Sequence, residues 1–310
     1  MRFRKIYQFL IQGSIPPVIA AVIFIVFRFF SFDNSEMDNL EFWCSTAMQI
    51  GIAFFLLYLN QSLIGGRYKT FFPAFLYLIF TASNDLFLYS WVNGVVTFCL
   101  FIFFILLFDV NLQSYPQGVA LNIAILITLG SFIWQPLLFL FPLMWLGMFQ
   151  FRCLNLRSFF AGLIGFAIIY LFILAGSVYM DDSFDIFMEK LPDFPTLFQT
   201  QILEEFDMKE YIIIGYLLFL FMLSGIHIFM ADMAEKAKTR ITLSFLYTIT
   251  LVFFVLLILQ TGMKNEWAVL LCIPLSLLVS HLFTNNYKRT NFWLLLATIV
   301  FFIGIYFVNP

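Results

Sequence analysis

The sequence predicts an all-α integral membrane protein with about eleven transmembrane helices. Of its 310 residues, 63% are hydrophobic and only 11% are charged, whereas soluble domains carry about 25% charged residues. The mean hydropathy is +0.97, and 45 Phe residues exceed what a core surrounded by water packs in an ordered way. Because backbone groups in lipid must be hydrogen-bonded internally, we expect the apolar stretches to be helices rather than strands.

The individual spans follow from the thickness of a bilayer. Its hydrocarbon core requires about 20 apolar residues per helix, within a range of about 17 to 25. Stretches that fit this window lie near residues 14–31, 42–63, 70–88, 92–109, 119–134, 136–151, 158–179, 211–230, 241–260, 267–283 and 291–308.

The stretches 119–134 and 136–151 are each short, and only Gln135 separates them before Pro136. They form either two thin helices in a tight hairpin or a re-entrant pair. Both arrangements return the chain to the side from which it entered, so the charge of the following loop does not distinguish them. A cysteine at Gln135 would be labelled from outside only if the chain crosses twice.

Basic residues in the short loops predict the orientation, because cytoplasmic loops retain positive charge during insertion. With the N-terminus in the cytoplasm, 12 of the 16 Lys and Arg residues fall inside and four fall outside. Most acidic residues show the opposite preference. The pattern predicts a cytoplasmic N-terminus, and it places the C-terminus and residues 180–210 on the other side of the membrane.

Residues 180–210 are the one long hydrophilic segment, and they hold half of all acidic residues. They divide the chain into an N-terminal block of about seven helices, 1–179, and a C-terminal block of about four, 211–310. Within the segment, apolar residues recur at helical spacing, which predicts a short amphipathic helix over roughly 196–208. We expect this helix to lie on the outer membrane boundary or to cap the bundle.

Small residues are expected at helix contacts. The four cysteines are scattered in or beside apolar spans without a C-x-x-C pair, so neither a zinc site nor a disulfide framework is indicated. The spacing Ala161-x-x-x-Gly165 predicts a face through which one helix contacts another closely.

Polar residues at membrane depth are candidates for function, because burying them is costly. Gln49, Asn60 and Asn122 lie on predicted spans and are candidates for lining a ligand path. His227 and His281, the only histidines, each lie near a predicted cytoplasmic helix end. If they share one level of the bundle, they are candidates for a proton or metal site, and otherwise for hydrogen bonding at helix ends.

Three outer acids are candidates for catalysis: Asp33 and Asp38 in the first outer loop, and Asp85 at the end of the third span. Multi-span glycosyltransferases that use polyprenyl-phosphate sugars keep a catalytic acid in their first outer loop, as a general base or a metal ligand. Here that loop is very short, and acidic outer loops are common where positive charge is kept inside. The sequence has no H-E-x-x-H, no G-x-S-x-G and no Gly-rich phosphate loop, so no cofactor is predicted.

Several stretches in the first 180 residues carry a family resemblance. They are Asn60-Gln-Ser-Leu-Ile, Phe72-Pro73-Ala-Phe-Leu, Leu126-Ile-Thr-Leu-Gly-Ser-Phe-Ile-Trp-Gln-Pro136, and Phe151-Arg followed by Arg157-Ser-Phe. These stretches resemble an uncharacterised family of polytopic inner-membrane proteins from Bacteroidota, classed as a domain of unknown function. The resemblance implies a multi-pass protein of the bacterial inner (plasma) membrane, and it implies no activity and no site residues.

The first functional hypothesis is therefore a structural or envelope-assembly protein without catalysis. Its expected partners are the lipid bilayer and other envelope membrane proteins, and the absence of a basic patch excludes nucleic acid. The alternatives are an envelope enzyme that acts on lipid-linked sugars through outer acids, and a transporter of small molecules or lipids.

Overall fold

A computed structural model describes residues 15–31, 40–64, 70–82, 91–110, 115–179, 206–230, 237–285 and 289–308. This part of the chain forms only helices and turns. Its eleven α-helices are α1 (Ile15–Ser31), α2 (Leu40–Tyr58), α3 (Phe72–Ala82), α4 (Trp91–Asp109), α5 (Pro116–Ser131), α6 (Leu140–Gln150), α7 (Leu156–Tyr179), α8 (Met208–Met230), α9 (Ala237–Leu259), α10 (Lys264–Asn285) and α11 (Arg289–Val308).

Each stretch predicted to be a span coincides with one of these helices. Five helices in the described part of the chain, α4 and α7 to α10, are long and apolar enough to cross a membrane. The helices α1, α3, α5, α6 and α11 are apolar and shorter over their described residues. The all-helical fold is thus confirmed, and five helices have the length and composition of membrane spans.

The chain divides into two compact units, and the boundary lies within α4 after Gly94. The first unit consists of Met1–Gly94 and Gln201–Pro310, and the second is Val95–Thr200. The predicted blocks before and after 180–210 describe order along the chain. Because 180–205 lie outside the described residues, that division stays a prediction.

Helices α3 and α10 are the central helices of the first unit. Helix α3 packs against α1, α2, α10 and α11, while α10 also packs against α8 and α9. Residues Phe72 to Thr81 of α3 are all buried. The ring of Phe72 meets that of Phe283 on α10 at 5.8 Å, and Phe80 meets Phe302 on α11 at 5.0 Å. Aromatic contacts therefore join α3 to its neighbours on two sides.

Polar side chains on the buried helix α10 have hydrogen-bond partners close by in the chain. The hydroxyls of Ser276 and Ser280 each donate to the carbonyl three residues earlier at 2.8 Å. Near the start of α10, Trp267 Nε1 donates to Gln260 Oε1 at 2.8 Å, and both side chains are buried. Such bonds satisfy polar atoms that would be costly to leave unpaired away from water.

In the second unit, α5 and α7 pack closely along their length. A Cβ atom at Gly165 would lie 2.8 Å from the Leu121 carbonyl oxygen and 2.8 Å from Ala124 Cβ. Only glycine fits at that distance from a neighbouring backbone. The helix-contact face predicted around Gly165 is therefore confirmed.

Helix α5 ends at Ser131, and a 3-10 turn over Gln135–Phe139 precedes α6. The break predicted at Gln135 is therefore confirmed. Pro136 fits the first turn of this short helix because it lacks an amide hydrogen, which would have no partner there. Whether this pair of helices crosses twice or is re-entrant stays a prediction.

The loop between α6 and α7 has defined ends. Cys153 N donates to Met148 O and Arg152 N donates to Phe149 O, each at 2.9 Å, which is the Schellman pattern of a helix C-terminus. Arg152 takes the left-handed position with a φ of 58°. Helix α7 is capped reciprocally, since Ser158 N donates to Asn155 Oδ1 at 2.7 Å and Asn155 N donates to Ser158 Oγ at 2.9 Å.

The amphipathic helix predicted over 196–208 falls almost wholly outside the described residues. Phe206 and Asp207 are described, and they precede α8 without helical structure. The prediction for 196–205 therefore stays a prediction.

Candidate functional site

Two pairs of polar side chains in the first unit lie near the two ends of α8 and α10. Asp207 immediately precedes α8, and Glu210 follows it by three positions. This spacing is that of an N-cap residue and the acid of a capping box. Asp207 N donates to Glu210 Oε2 at 3.1 Å, and Met208 N donates to Asp207 Oδ1 at 2.8 Å. The two acids thus satisfy amide groups that the start of a helix leaves without partners.

The same carboxylate joins α8 to α10. Glu210 Oε2 accepts a hydrogen bond from Lys264 Nζ at 2.8 Å, and the Lys264 and Glu210 side chains are 24% and 13% exposed respectively. Lys264 Nζ also lies 5.5 Å from the centre of the Phe206 ring, within the range of a cation–π contact. Lys264 is the first residue of α10, so this ion pair fixes the start of α8 beside the start of α10.

The two histidines lie near the opposite ends of the same helices. The ring centres of His227 on α8 and His281 on α10 are 5.9 Å apart, with an interplanar angle of 65°. The two histidines therefore share one level of α8 and α10, which is the condition under which the sequence made them candidates for a proton or metal site. Among the described residues there is no group of three or more His, Cys, Asp or Glu arranged to hold a metal. A proton or metal role for the pair stays a prediction.

The two pairs stand at matching positions along the helices. His227 follows Glu210 by 17 residues, and His281 follows Lys264 by the same 17 residues. Contacts at both ends therefore require α8 and α10 to run parallel and in register. At 1.5 Å per residue, the two levels are about 26 Å apart.

The candidates for a ligand path occupy dissimilar positions. Gln49 is completely buried on α2. Asn60 lies in a π-helical turn after α2, where its Nδ2 donates to Thr70 O at 3.0 Å and to Thr70 Oγ1 at 3.3 Å. Asn122 is exposed on α5. Asn60 thus has a structural task, which is to connect the π-helical turn after α2 to Thr70, just before α3.

The catalytic candidates Asp33, Asp38 and Asp85 lie outside the described residues. Their role stays a prediction. Of the cysteines, Cys153 lies in the α6–α7 loop, and burial raises the pKa of its thiol. A raised pKa keeps the thiol protonated at neutral pH, which is unsuitable for a nucleophile.

Two features were not predicted from the sequence. The Glu210–Lys264 ion pair has a local signal, the D-x-x-E cap, but its partner lies 54 residues away. The second feature is a half-open apolar cavity of about 380 Å³ between α1, α2 and α3. Its signal is a set of alanines in helices otherwise rich in Phe and Leu, and that signal can be recognised only once the helices are placed together.

The fold and the site together define a class. Over its described residues the chain is all-helical, and five of these helices have spanning length and apolar composition, which are features of an α-helical membrane protein. The chain belongs to the family described as "Family of unknown function (DUF6427)", whose profile matches residues 12–308. The predicted membership of a family of unknown function is thereby confirmed, and the match extends over nearly the whole chain. No curated protein and no solved structure matches it.

Proposed function

We propose that this protein is a multi-pass protein of the bacterial inner membrane that crosses it about eleven times and serves a structural or envelope-assembly role. Its partners would be the lipid bilayer and other envelope membrane proteins. The proposal places the N-terminus in the cytoplasm and the C-terminus and residues 180–210 outside. The resemblance to inner-membrane proteins of Bacteroidota supports this location.

One observation supports the crossing best. The ion pair Glu210–Lys264 and the ring pair His227–His281 are separated by about 26 Å along α8 and α10, close to the 30 Å or so of a bilayer hydrocarbon core. The charged pair falls at the predicted outer boundary and the histidines fall at the predicted inner one. The positive charges of Lys238 and Arg240, at the start of α9, lie on the predicted cytoplasmic side of the same boundary.

The hydrogen bonds of the buried hydroxyls favour a structural role over catalysis. Thr128, Thr250 and Thr298 each donate to the carbonyl four residues earlier, at 2.6 to 2.8 Å. Tyr216 on α8 meets Thr298 on α11 at 2.9 Å, which joins two helices. These groups stabilise helices and their contacts, and this use leaves them poorly placed to bind a substrate.

Complementation of a deletion strain separates the structural role from the enzyme alternative. The variants Asp33→Asn, Asp38→Asn and Asp85→Asn remove the outer charges that catalysis would need, while they preserve side-chain volume. We expect each variant, produced at the wild-type level in the membrane, to restore the strain fully. Failure of any one of them at normal abundance would favour the envelope enzyme.

The histidine pair favours a second candidate, a transporter of a small molecule or cation. Two imidazoles on parallel helices, with each Nδ1 buried, can bind a proton or a cation near the predicted cytoplasmic boundary. Protein reconstituted in liposomes would then carry a cation flux that His281→Gln abolishes and that the control Ser244→Ala, at an exposed position of α9, leaves intact. A flux no larger than that of empty liposomes would exclude this candidate.

A further inference from the structure

The cavity between α1, α2 and α3 has the shape and chemistry of a binding groove. Its walls come from Val18 on α1 and from Phe54 and Leu57 on α2, while Ala74 and Leu78 of α3 form its floor. Both α1 and α2 pack against α3. Its volume of about 380 Å³ falls within the range of about 300 to 1,000 Å³ that is typical of ligand pockets.

Small side chains open this groove. Ala21 on α1, Ala53 on α2 and Ala74 on α3 all line it. A leucine at any of these positions would project into the space, and the neighbouring helices already carry many large residues. The opening therefore depends on three alanines at facing positions rather than on a gap between distant helices.

The lining is almost entirely apolar, and this restricts the occupant. Apolar cavities exclude water, and an empty one lacks the dispersion contacts that its walls would otherwise make. The groove is half-open, and its rim residues Val18 and Phe54 are 62% and 68% exposed. It therefore opens onto an apolar outer surface, which in the proposed function is the surface that contacts lipid tails.

Basic residues that precede the lining residues in the sequence indicate the headgroup. In chain order, Arg67 and Lys69 stand just before the lining residue Phe71, and Lys5 precedes the lining residue Pro17 by 12 residues. The predicted orientation places these basic residues on the cytoplasmic side, where anionic lipids attract Lys and Arg. This charge is complementary to an anionic headgroup.

We propose that the groove between α1, α2 and α3 binds one acyl chain of an anionic phospholipid, whose headgroup lies on the cytoplasmic side. The inference rests on the proposed membrane location. It adds a specific lipid site to that location, since a lipid in the groove would complete the packing of α1 and α2 on the central helix α3.

Filling the groove tests the site. Ala53→Leu places a larger side chain in it, and Ala47→Leu makes the same change at an exposed position of the same helix. Native mass spectrometry of protein released from membranes in mild detergent would measure bound phosphatidylglycerol. We expect Ala53→Leu to reduce the bound lipid about tenfold, equivalent to about 1.4 kcal/mol, and Ala47→Leu to retain it. Equal retention by both variants would overturn the proposal.

A second measurement on the unaltered protein covers the case in which Ala53→Leu does not fold. Phosphatidylglycerol and phosphatidylcholine that carry a photoreactive diazirine in one acyl chain are incorporated separately into liposomes with the protein. We expect the phosphatidylglycerol probe to label the peptide that contains Ile50 and Phe54 several-fold more strongly than the phosphatidylcholine probe does. Absent or equal labelling of that peptide would overturn the lipid site, whereas recovery of the protein outside the membrane fraction would instead overturn the proposed function.

Discussion

Helices α10 and α7 have similar length and opposite surroundings. Within Thr261–Thr284, which contains most of α10, 94% of an 18-residue stretch is buried inside the protein, whereas only 17% of such a stretch within Leu156–Gly176 of α7 is buried. The exposed helix is nevertheless the more hydrophobic of the two. It presents Phe160, Ile164 and Phe172 outward, while the buried helix contains Ser276, Ser280 and His281.

This distribution is the reverse of that expected in water. Contiguous apolar surface on a soluble protein is limited to a few hundred Å² because larger patches associate. In a bilayer, lipid tails are as apolar as leucine, so an outward helix face gains nothing from polarity. In the proposed membrane location α7 would contact lipid and α10 would contact protein, and each half of this comparison can be tested separately.

The largest effect is expected in the buried helix. Trp267→Ala removes a fully buried side chain and its bond to Gln260, and such truncations cost about 3–5 kcal/mol. The matched control is Trp293→Ala, because Trp293 is 56% exposed on α11. Thermal unfolding in detergent should show a large loss of stability for the first variant and little change for the second. Similar losses in both would contradict the assignment of α10 as the core helix.

A charge on the exposed face tests whether that face contacts lipid. Phe172, in the second half of α7, is 73% exposed. In lipid, Phe172→Arg should cost about 3 kcal/mol, whereas on a water-exposed surface the change would stay within about 0.5 kcal/mol. Leu156→Arg is the control, since Leu156 is 77% exposed at the first position of the same helix, at the predicted boundary. Membrane-inserted protein, measured by carbonate extraction, should fall only for Phe172→Arg.

The close contact between α5 and α7 should tolerate no side chain. Gly165→Ala would press a methyl group against the backbone of α5, and such overpacking typically costs about 1–3 kcal/mol. At Gly176 on the same helix, no atom lies within 4 Å of the position that a methyl group would occupy. Gly176→Ala should therefore raise stability by up to about 1 kcal/mol, through helix propensity. If the unfolding midpoints of both variants rise, α7 does not pack against α5 as described.

The smallest effect is expected at the outer end of α8 and α10. Glu210→Gln removes the charge that meets Lys264, and partly exposed ion pairs are worth about 0–1 kcal/mol. Combined with Lys264→Met in a double-mutant cycle, it should show a coupling energy that shrinks at high salt. Glu266→Gln removes a nearby charge from the first turn of α10 and should show no coupling to Lys264. Zero coupling between Glu210 and Lys264 would show that the ion pair does not help to hold α8 and α10 in register.

The positions of the helices could be predicted, because apolar length is a local property of the sequence. Which helix is central could not be predicted. Spans such as α10 and α11, in which apolar and polar residues show no helical periodicity, give no contrast between a protein-facing and a lipid-facing side. The buried run Phe72 to Thr81 and the exposed run around Phe172 therefore look alike in sequence.

The candidate site, too, could be predicted from the sequence only in part. His227 and His281 each lie near a predicted cytoplasmic helix end, which allowed their meeting but did not predict it. The bond from Glu210 to Lys264 was not predicted, because no local pattern relates two residues that lie 54 positions apart. The left-handed backbone at Arg152 also carried no signal, since glycine is the usual residue at such a helix end.

The central claim is that α7 and α8 cross a bilayer and that the segment between them lies outside the cytoplasm. Alkaline phosphatase, which is active only after export, reports this directly when it is fused after Thr196 and, in a second fusion, after Glu235. We expect an active fusion at Thr196 and an inactive one at Glu235, at comparable levels of protein. An inactive fusion at Thr196 together with an active one at Glu235 would contradict the claim.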